Sequence, residues 1–249
     1  MFNFGTGIMY ATALQDATGA QVANATPVQF GNLQDVSADF SFEEKMLYGS
    51  RQHPIAIGRG KAKFTFKAKT ASMNGSILSD LLFGKPAQSS LLLVVNGFQA
   101  SLTSTDVIVV PPNGGTFSGD LGVIGAGGKV FKKVASAPAA GQYSVSPIGD
   151  YAFSAEDQGA TVGISYSYTG NATNGKLITI TNELMGQAPF FSINLDTSYN
   201  GKGMTFVFNK CLASKFSFPF KNDDFSVPDF DFSAMADDNG VVGYVYTAE

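Results

Sequence analysis

Between residues 30 and 69 the chain reads FGNLQDVSADFSFEEKMLYGSRQHPIAIGRGKAKFTFKAK. Ala38, Phe40 and Phe42 alternate with Asp39, Ser41 and Glu43. Phe64, Phe66 and Ala68 alternate with Lys63, Thr65 and Lys67. Period-two alternation predicts two strands, each with one face buried and one face wet. A chain with two such phenylalanine faces has to build a sheet to bury them. The middle of the stretch carries Gly49, Pro54, Gly58 and Gly60, so it reads as a long connection or an extended hairpin. It also carries Met46, Leu47, Tyr48, Ile55 and Ile57. Apolar surface in such a segment either folds back on its own domain or binds something.

The rest of the chain repeats the strand signal. Short runs at 91–95, 106–110, 129–134 and 142–145 are separated by the turn clusters Pro111–Gly115 and Gly125–Gly128. Val162, Ile164, Tyr166 and Tyr168 alternate with small polar residues and lead into a polar turn that ends at Gly175. Further alternation at 177–182, 204–208, 216–220, 228–232 and 241–246 predicts four or five more strands, with Pro219 marking an edge or a bulge. One helix is predicted over 72–84. Asn74 or Ser76 caps it, Ile77, Leu78, Leu81 and Leu82 form its stripe, and Gly84 and Pro86 end it. Residues 153–169 and 232–247 share a Phe-Ser-Ala start and a tyrosine-rich end, and two copies do not make a solenoid.

With 249 residues, 22 phenylalanines and 28 glycines, the composition suits many strands joined by glycine turns around aromatic faces. Only 14% of the residues are charged, against about a quarter in an average chain. That low fraction implies surface covered by partners, or solvated by Ser, Thr and Asn instead. A net charge of −4 opposes a conventional nucleic-acid binder. The charge is also uneven. Residues 45–69 hold Lys45, Arg51, Arg59, Lys61, Lys63, Lys67 and Lys69 and no acid, whereas 222–249 hold seven acids and no base. The two blocks are either solvated edges or complementary surfaces, within one subunit or between neighbours.

Groups for chemistry are sparse. His53 is the only histidine, it lies between Gln52 and Pro54, and no nucleophile-elbow pattern accompanies it. Cys211 is the only cysteine, so no intrachain disulfide forms, and its apolar surroundings predict a small core residue. The Gly125–Lys129 run lacks the spacing and the Ser or Thr of a phosphate loop, and reads as a turn. Adjacent acids Glu43 and Glu44, and Asp237 and Asp238, point to opposite faces of a strand, while Asp229 and Asp231 share one. No cofactor or metal is expected. The N-terminus lacks a basic region followed by a long apolar run, no apolar run approaches the ~20 residues of a membrane span, and no membrane insertion is expected.

The stretch LQDVSADFSFEEKMLYGSRQHPIAIGRGKAKFTFKAK resembles the N-terminal segment of phage tail tube (major tail) proteins, where paired strands with a long loop lead into a short helix. The resemblance covers residues 27–85 and returns at 177–249, in LITITNELMGQAPFF and FSFPFKNDDFSVPDFDFSA. It implies an all-β, mainly antiparallel, tail-tube-like β-sandwich or barrel with one short helix and an inserted β subdomain. The implied organisation is a core at 1–100 and 175–249 with an insertion at 101–174. It also implies stacked, hexameric rings that contact other tail proteins and surround a lumen through which double-stranded DNA passes non-specifically. Such a protein is made in the host cytoplasm and resides in the virion tail. By the same resemblance, Lys45, Met46, Leu47, Tyr48, Gly49, Arg51 and Gln52 contact the next ring. Arg59, Lys61 and Lys63 could meet Asp223, Asp224, Asp237 and Asp238 as complementary charges. Two other classes compete: a monomeric β-sandwich binding module of the carbohydrate or adhesin type, and a β-sandwich glycosidase with two facing acids.

Overall fold

The computed structural model describes residues 5–171, 175–199 and 202–248. In chain order the strands are β1 (Ile8–Gln15), β2 (Val28–Gln29), β3 (Leu33–Tyr48), β4 (Pro54–Thr70), β5 (Gln88–Ser89), β6 (Leu92–Ser101), β7 (Asp106–Ile108), β8 (Thr116–Gly125) and β9 (Lys132–Lys133). They continue with β10 (Gln142–Val145), β11 (Asp150–Phe153), β12 (Thr161–Thr169), β13 (Lys176–Leu177), β14 (Phe190–Tyr199), β15 (Lys202–Ser217), β16 (Asp229–Met235) and β17 (Gly243–Thr247). The chain is all-β and mainly antiparallel, as the alternation predicts.

It divides into two compact units. The first comprises Met1–Ala87 with Ile178–Glu249, and the second Gln88–Leu177. In the first, one sheet runs β2-β1-β14-β15-β16-β4-β3, and β17 also pairs with β15. The two ends of that order are neighbours in the chain. Residues 30–32 carry β2 directly into β3, the Ala71 amide donates to the Asn32 carbonyl at 2.7 Å, and the Thr6 hydroxyl donates to the Leu33 carbonyl at 2.9 Å. The sheet therefore rolls towards a barrel. Its inside is filled by Met9, Phe30, Phe64, Phe66, Phe191, Ile193, Phe208, Phe230 and Phe232. Phe66 and Phe232 are register partners with rings 5.1 Å apart, and Phe30 meets Phe230 edge-on at 5.6 Å. Aromatic contacts of this kind add to area burial in fixing the register. Buried Ile77 and Leu81 come from the short π-helix Ile77–Leu82, which is tighter in extent than the expected 72–84 and is joined, among the described residues, by three single-turn 3-10 helices in the second unit. Asn74 Oδ1 accepts from the Ser76 amide at 3.1 Å, so Asn74 rather than Ser76 closes the entry.

β16 and β17 lie end to end along one edge of β15. Met235 pairs with Lys210, and Gly243 pairs with Phe208. The sequence echo between 153–169 and 232–247 therefore has no structural counterpart, because β11 and β12 belong to different sheets.

The second unit has two small sheets, β6-β12-β8 and β7-β11-β10-β9, around a separate core that includes Tyr143, Tyr151, Phe153, Val162, Ile164 and Tyr166. The short β5–β13 pair joins its two ends. The unit starts at Gln88 rather than at 101, because β6 pairs with β12 along Leu92–Ser101. Three expected strands differ, and β8 at Thr116–Gly125 is not among the expected ones; of the run 129–134 only Lys132–Lys133 forms a strand. Beyond Leu177, residues 178–189 form no strand, and β15 ends at Ser217, ahead of Pro219. Of the polar turn before Gly175, residues 172–174 lie outside the described residues.

Candidate assembly surface

β3 and β4 are 16 and 17 residues long, more than twice the length of β16 beside them. β16 pairs with β4 only from Lys69 to Phe64, so from Lys63 to Pro54 the strand has β3 as its single neighbour. The stretch expected as a long connection or an extended hairpin is a hairpin, turning at 49–53. Its distal half projects from the barrel with both backbone edges unpaired.

The register decides which side chains share a face. Phe40 opposes Phe64, Phe42 opposes Ala62, Glu44 opposes Arg59 and Met46 opposes Ile57. Phe40, Phe42, Met46 and Tyr48 therefore line the same side as Phe64 and Phe66, and continue the barrel's inner face into the open. The rings of Phe40 and Phe64 are 4.0 Å apart, the Arg59 guanidinium covers the Phe42 ring at 4.4 Å, and the Tyr48 hydroxyl donates to Met46 Sδ at 3.2 Å. The sequence expectation that Phe40 and Phe42 are buried is corrected here. Phe40 is 55% exposed and Phe42 is 48% exposed, because no strand of β16 extends far enough to cover them. Towards the tip, Leu47, Ile55 and Ile57 are 61%, 70% and 62% exposed.

All seven expected contact residues lie at this distal end, with Lys45, Met46, Leu47 and Tyr48 in β3 and Gly49, Arg51 and Gln52 in the turn. Arg59, Lys61 and Lys63 follow on the exposed shaft of β4. Their expected acidic partners are scattered. Asp237 organises the turn between β16 and β17 and accepts from Asn209 Nδ2 at 2.8 Å and from the Asn239 and Val241 amides. The Val241 amide, followed by Asn209, holds its carboxyl below the usual range. Asp238 is beside it, whereas Asp223 and Asp224 sit in the 218–228 loop. There the Lys221 ammonium lies 2.9 Å from Asp224.

Part of the basic block is neutralised inside the unit. On the outer face of the sheet, Asp35, Lys69 and Asp229 form one cross-strand row, and Ser37, Lys67, Asp231 and Lys215 form the next. Lys69 Nζ is 3.6 Å from Asp35 Oδ2. Asp229 and Asp231 thus face lysines along the sheet, an arrangement that fixes register more than it adds stability, since exposed pairs contribute at most about 1 kcal/mol. Sequence reasoning grouped Lys67 and Lys69 with the hairpin lysines, but only the strand register separates them.

His53 is in the exposed hairpin turn, and Cys211 is fully buried with its thiol pushed up to about 12 by burial. Among the described residues no group of three or more His, Cys, Asp or Glu could hold a metal ion, and no helix is long and apolar enough to cross a membrane. No family model matches the sequence, and no curated protein matches it.

Proposed function

We propose that this chain is a structural subunit that assembles with copies of itself into stacked rings forming a phage tail tube, a conduit for DNA. The observation that carries the reading is the projecting half of the β3–β4 hairpin, which presents an aromatic face and two unpaired strand edges. A long edge with apolar side chains is a template for pairing with another chain, and a protein that works alone blunts or covers such edges. This chain extends one by half the length of β3. Its outer edge is the end of the sheet order, and β17 has a second edge with exposed Tyr244, Val245 and Tyr246. Closing such edges between subunits accounts for both without further elements. The sequence resemblance supplies the arrangement: rings, hexameric and stacked, joined to other tail proteins in the virion tail after synthesis in the host cytoplasm. The role needs no catalytic group and no cofactor, and DNA would pass without base-specific contact.

Negative-stain electron microscopy of the untagged full chain at high concentration, with sedimentation in parallel, tests the reading. Rings or hollow tubes are expected. A uniform monomer that persists across salt and concentration overturns it in favour of a monomeric binding module.

A further inference from the structure

The hairpin tip and the 218–228 loop occupy opposite poles of one sheet. Asp35, Lys69 and Asp229 share a row, and the loop ends at that row. Tyr48 lies thirteen positions further along β3, a span of about 40 Å at ~3.3 Å per residue. Each pole ends in exposed apolar groups that continue outward from the core. At the loop pole the aromatic row runs from Phe230 to Phe216 at 4.7 Å, Phe216 to Phe218 at 6.4 Å and Phe218 to Phe220 at 5.0 Å. Phe220 and Phe225 are each 88% exposed.

The poles carry opposite charge. From 45 to 63 the hairpin holds Lys45, Arg51, Arg59, Lys61 and Lys63 with no acid, and Glu43 and Glu44 on the facing part of β3 offset only two of these five, so the projecting half stays basic. The loop places Asp223 and Asp224 between its two most exposed phenylalanines, and Lys221, 2.9 Å from Asp224, offsets only one of them, so the loop stays net acidic. Asp224 Oδ1 accepts from the Phe225 amide at 2.8 Å, which fixes the turn that presents Phe225. Both surfaces are therefore apolar with a charged border, and the borders match.

Resting on the reading of the chain as a self-assembling subunit, we infer that the hairpin tip of one copy docks on the 218–228 loop of the next. Neither pole can reach the other within one copy. A contact between unlike surfaces is heterologous and excludes a two-fold pair, and with the two surfaces at opposite poles it adds copies along one axis as a stack. Leu47, Tyr48 and Ile55 meet Phe220 and Phe225, while Lys45 and Arg51 meet Asp223 and Asp224.

The test replaces Phe220 in the full chain with a photoreactive benzoyl derivative of phenylalanine and mixes isotope-light and isotope-heavy protein before irradiation. Mass spectrometry of the pelleted assemblies is expected to find light–heavy cross-links from position 220 to residues 45–57. Assemblies whose cross-links land elsewhere on the chain overturn this contact and leave the assembly reading standing. Failure of the unmodified chain to assemble overturns both. A charge exchange provides the second measurement. The pair Asp223→Lys and Asp224→Lys is expected to raise the critical concentration for assembly about tenfold or more, and adding Lys45→Asp and Arg51→Asp to restore it. An unchanged critical concentration in the first pair overturns the contact as well.

Discussion

The Tyr151 hydroxyl donates to Asp120 Oδ1 at 3.0 Å inside the second unit. Tyr143 donates to the other oxygen at 2.9 Å, and Lys133 Nζ lies 3.0 Å from it. Asp120 comes from β8 in one sheet, whereas Tyr143, Tyr151 and Lys133 come from β10, β11 and β9 in the other. The carboxylate thus ties the two sheets together through an otherwise apolar core. Burial alone would raise the Asp120 carboxyl, but Lys133, the two tyrosines and the Gly122 amide outweigh it and hold the group below the usual range. Burial, and then the bond to Asp120, pushes both phenols up.

Asp120→Ala leaves the hydroxyls of two buried tyrosines without their acceptor. The expected loss is about 3 kcal/mol in the second unit, read as a lower urea midpoint by tyrosine fluorescence. The pH dependence has a defined sign. A depressed folded pKa contributes stability in full above the unfolded value, about 3.9, and loses it as pH falls through the folded value. Acid titration is expected to destabilise the wild-type unit below about pH 4, and Asp120→Asn to remove that component. A wild-type profile that superimposes on that of Asp120→Asn would count against the assignment.

The sequence announced the sheet better than it announced the surfaces. Alternation at 64–68 and 228–232 located β4 and β16 because both strands lie over the core, and Phe64, Phe66, Phe230 and Phe232 are buried as read. The same alternation misplaced Phe40 and Phe42, since the burial of a strand depends on a neighbour whose length the strand itself does not encode. The row Asp35–Lys69–Asp229 depends on pairing across most of the chain, which local pattern cannot supply. At 177–182 the alternation is present, but among the described residues no strand pairs with it beyond Leu177. Asp120 left one legible trace, a lone acid within the strand TFSGDLGVIG, but its partners lie in the other sheet.

Two glycines separate backbone need from chance. Gly84 has φ +58°, and a Cβ there would lie 2.6 Å from the Ala17 nitrogen and 2.6 Å from Pro189 Cβ. Gly58, in the projecting part of β4, has no atom within 4 Å of the same position. Gly84→Ala is expected to cost about 2 kcal/mol or more, because strain and a backbone collision add. Gly58→Ala is expected to be neutral or to stabilise by up to about 1 kcal/mol, by restricting the unfolded chain. Thermal melts of the two variants check both signs.

Cys211 pairs with Phe191 across the β14–β15 ladder and has no exposed surface. Burial raises its thiol to about 12, so almost no thiolate forms near neutrality. Thiol titration of the native chain at pH 8 is expected to find no fast-reacting group, and one full equivalent in denaturant. Rapid native labelling would mean that the β14–β15 region opens on the timescale of the reagent.

Leu47 and Tyr48 separate assembly from folding. Both are more than half exposed, so Leu47→Ser with Tyr48→Ser removes little burial from the isolated unit, and the unfolding free energy from urea melts is expected to change by less than about 0.5 kcal/mol. If the hairpin tip docks on a neighbouring copy as proposed, the double variant loses that contact, and sedimentation is expected to show a folded species that does not form tubes. Salt resolves what joins the copies. The screening length falls to about 10 Å at 0.1 M, so contacts between the Lys45–Lys63 shaft and acids of a neighbour weaken from low to moderate salt. Contacts made by the aromatic face hold or strengthen. Normal tubes from the double variant would remove the hairpin from the interface, whereas salt-weakened tubes from the wild type alone would place its basic side against an acidic partner.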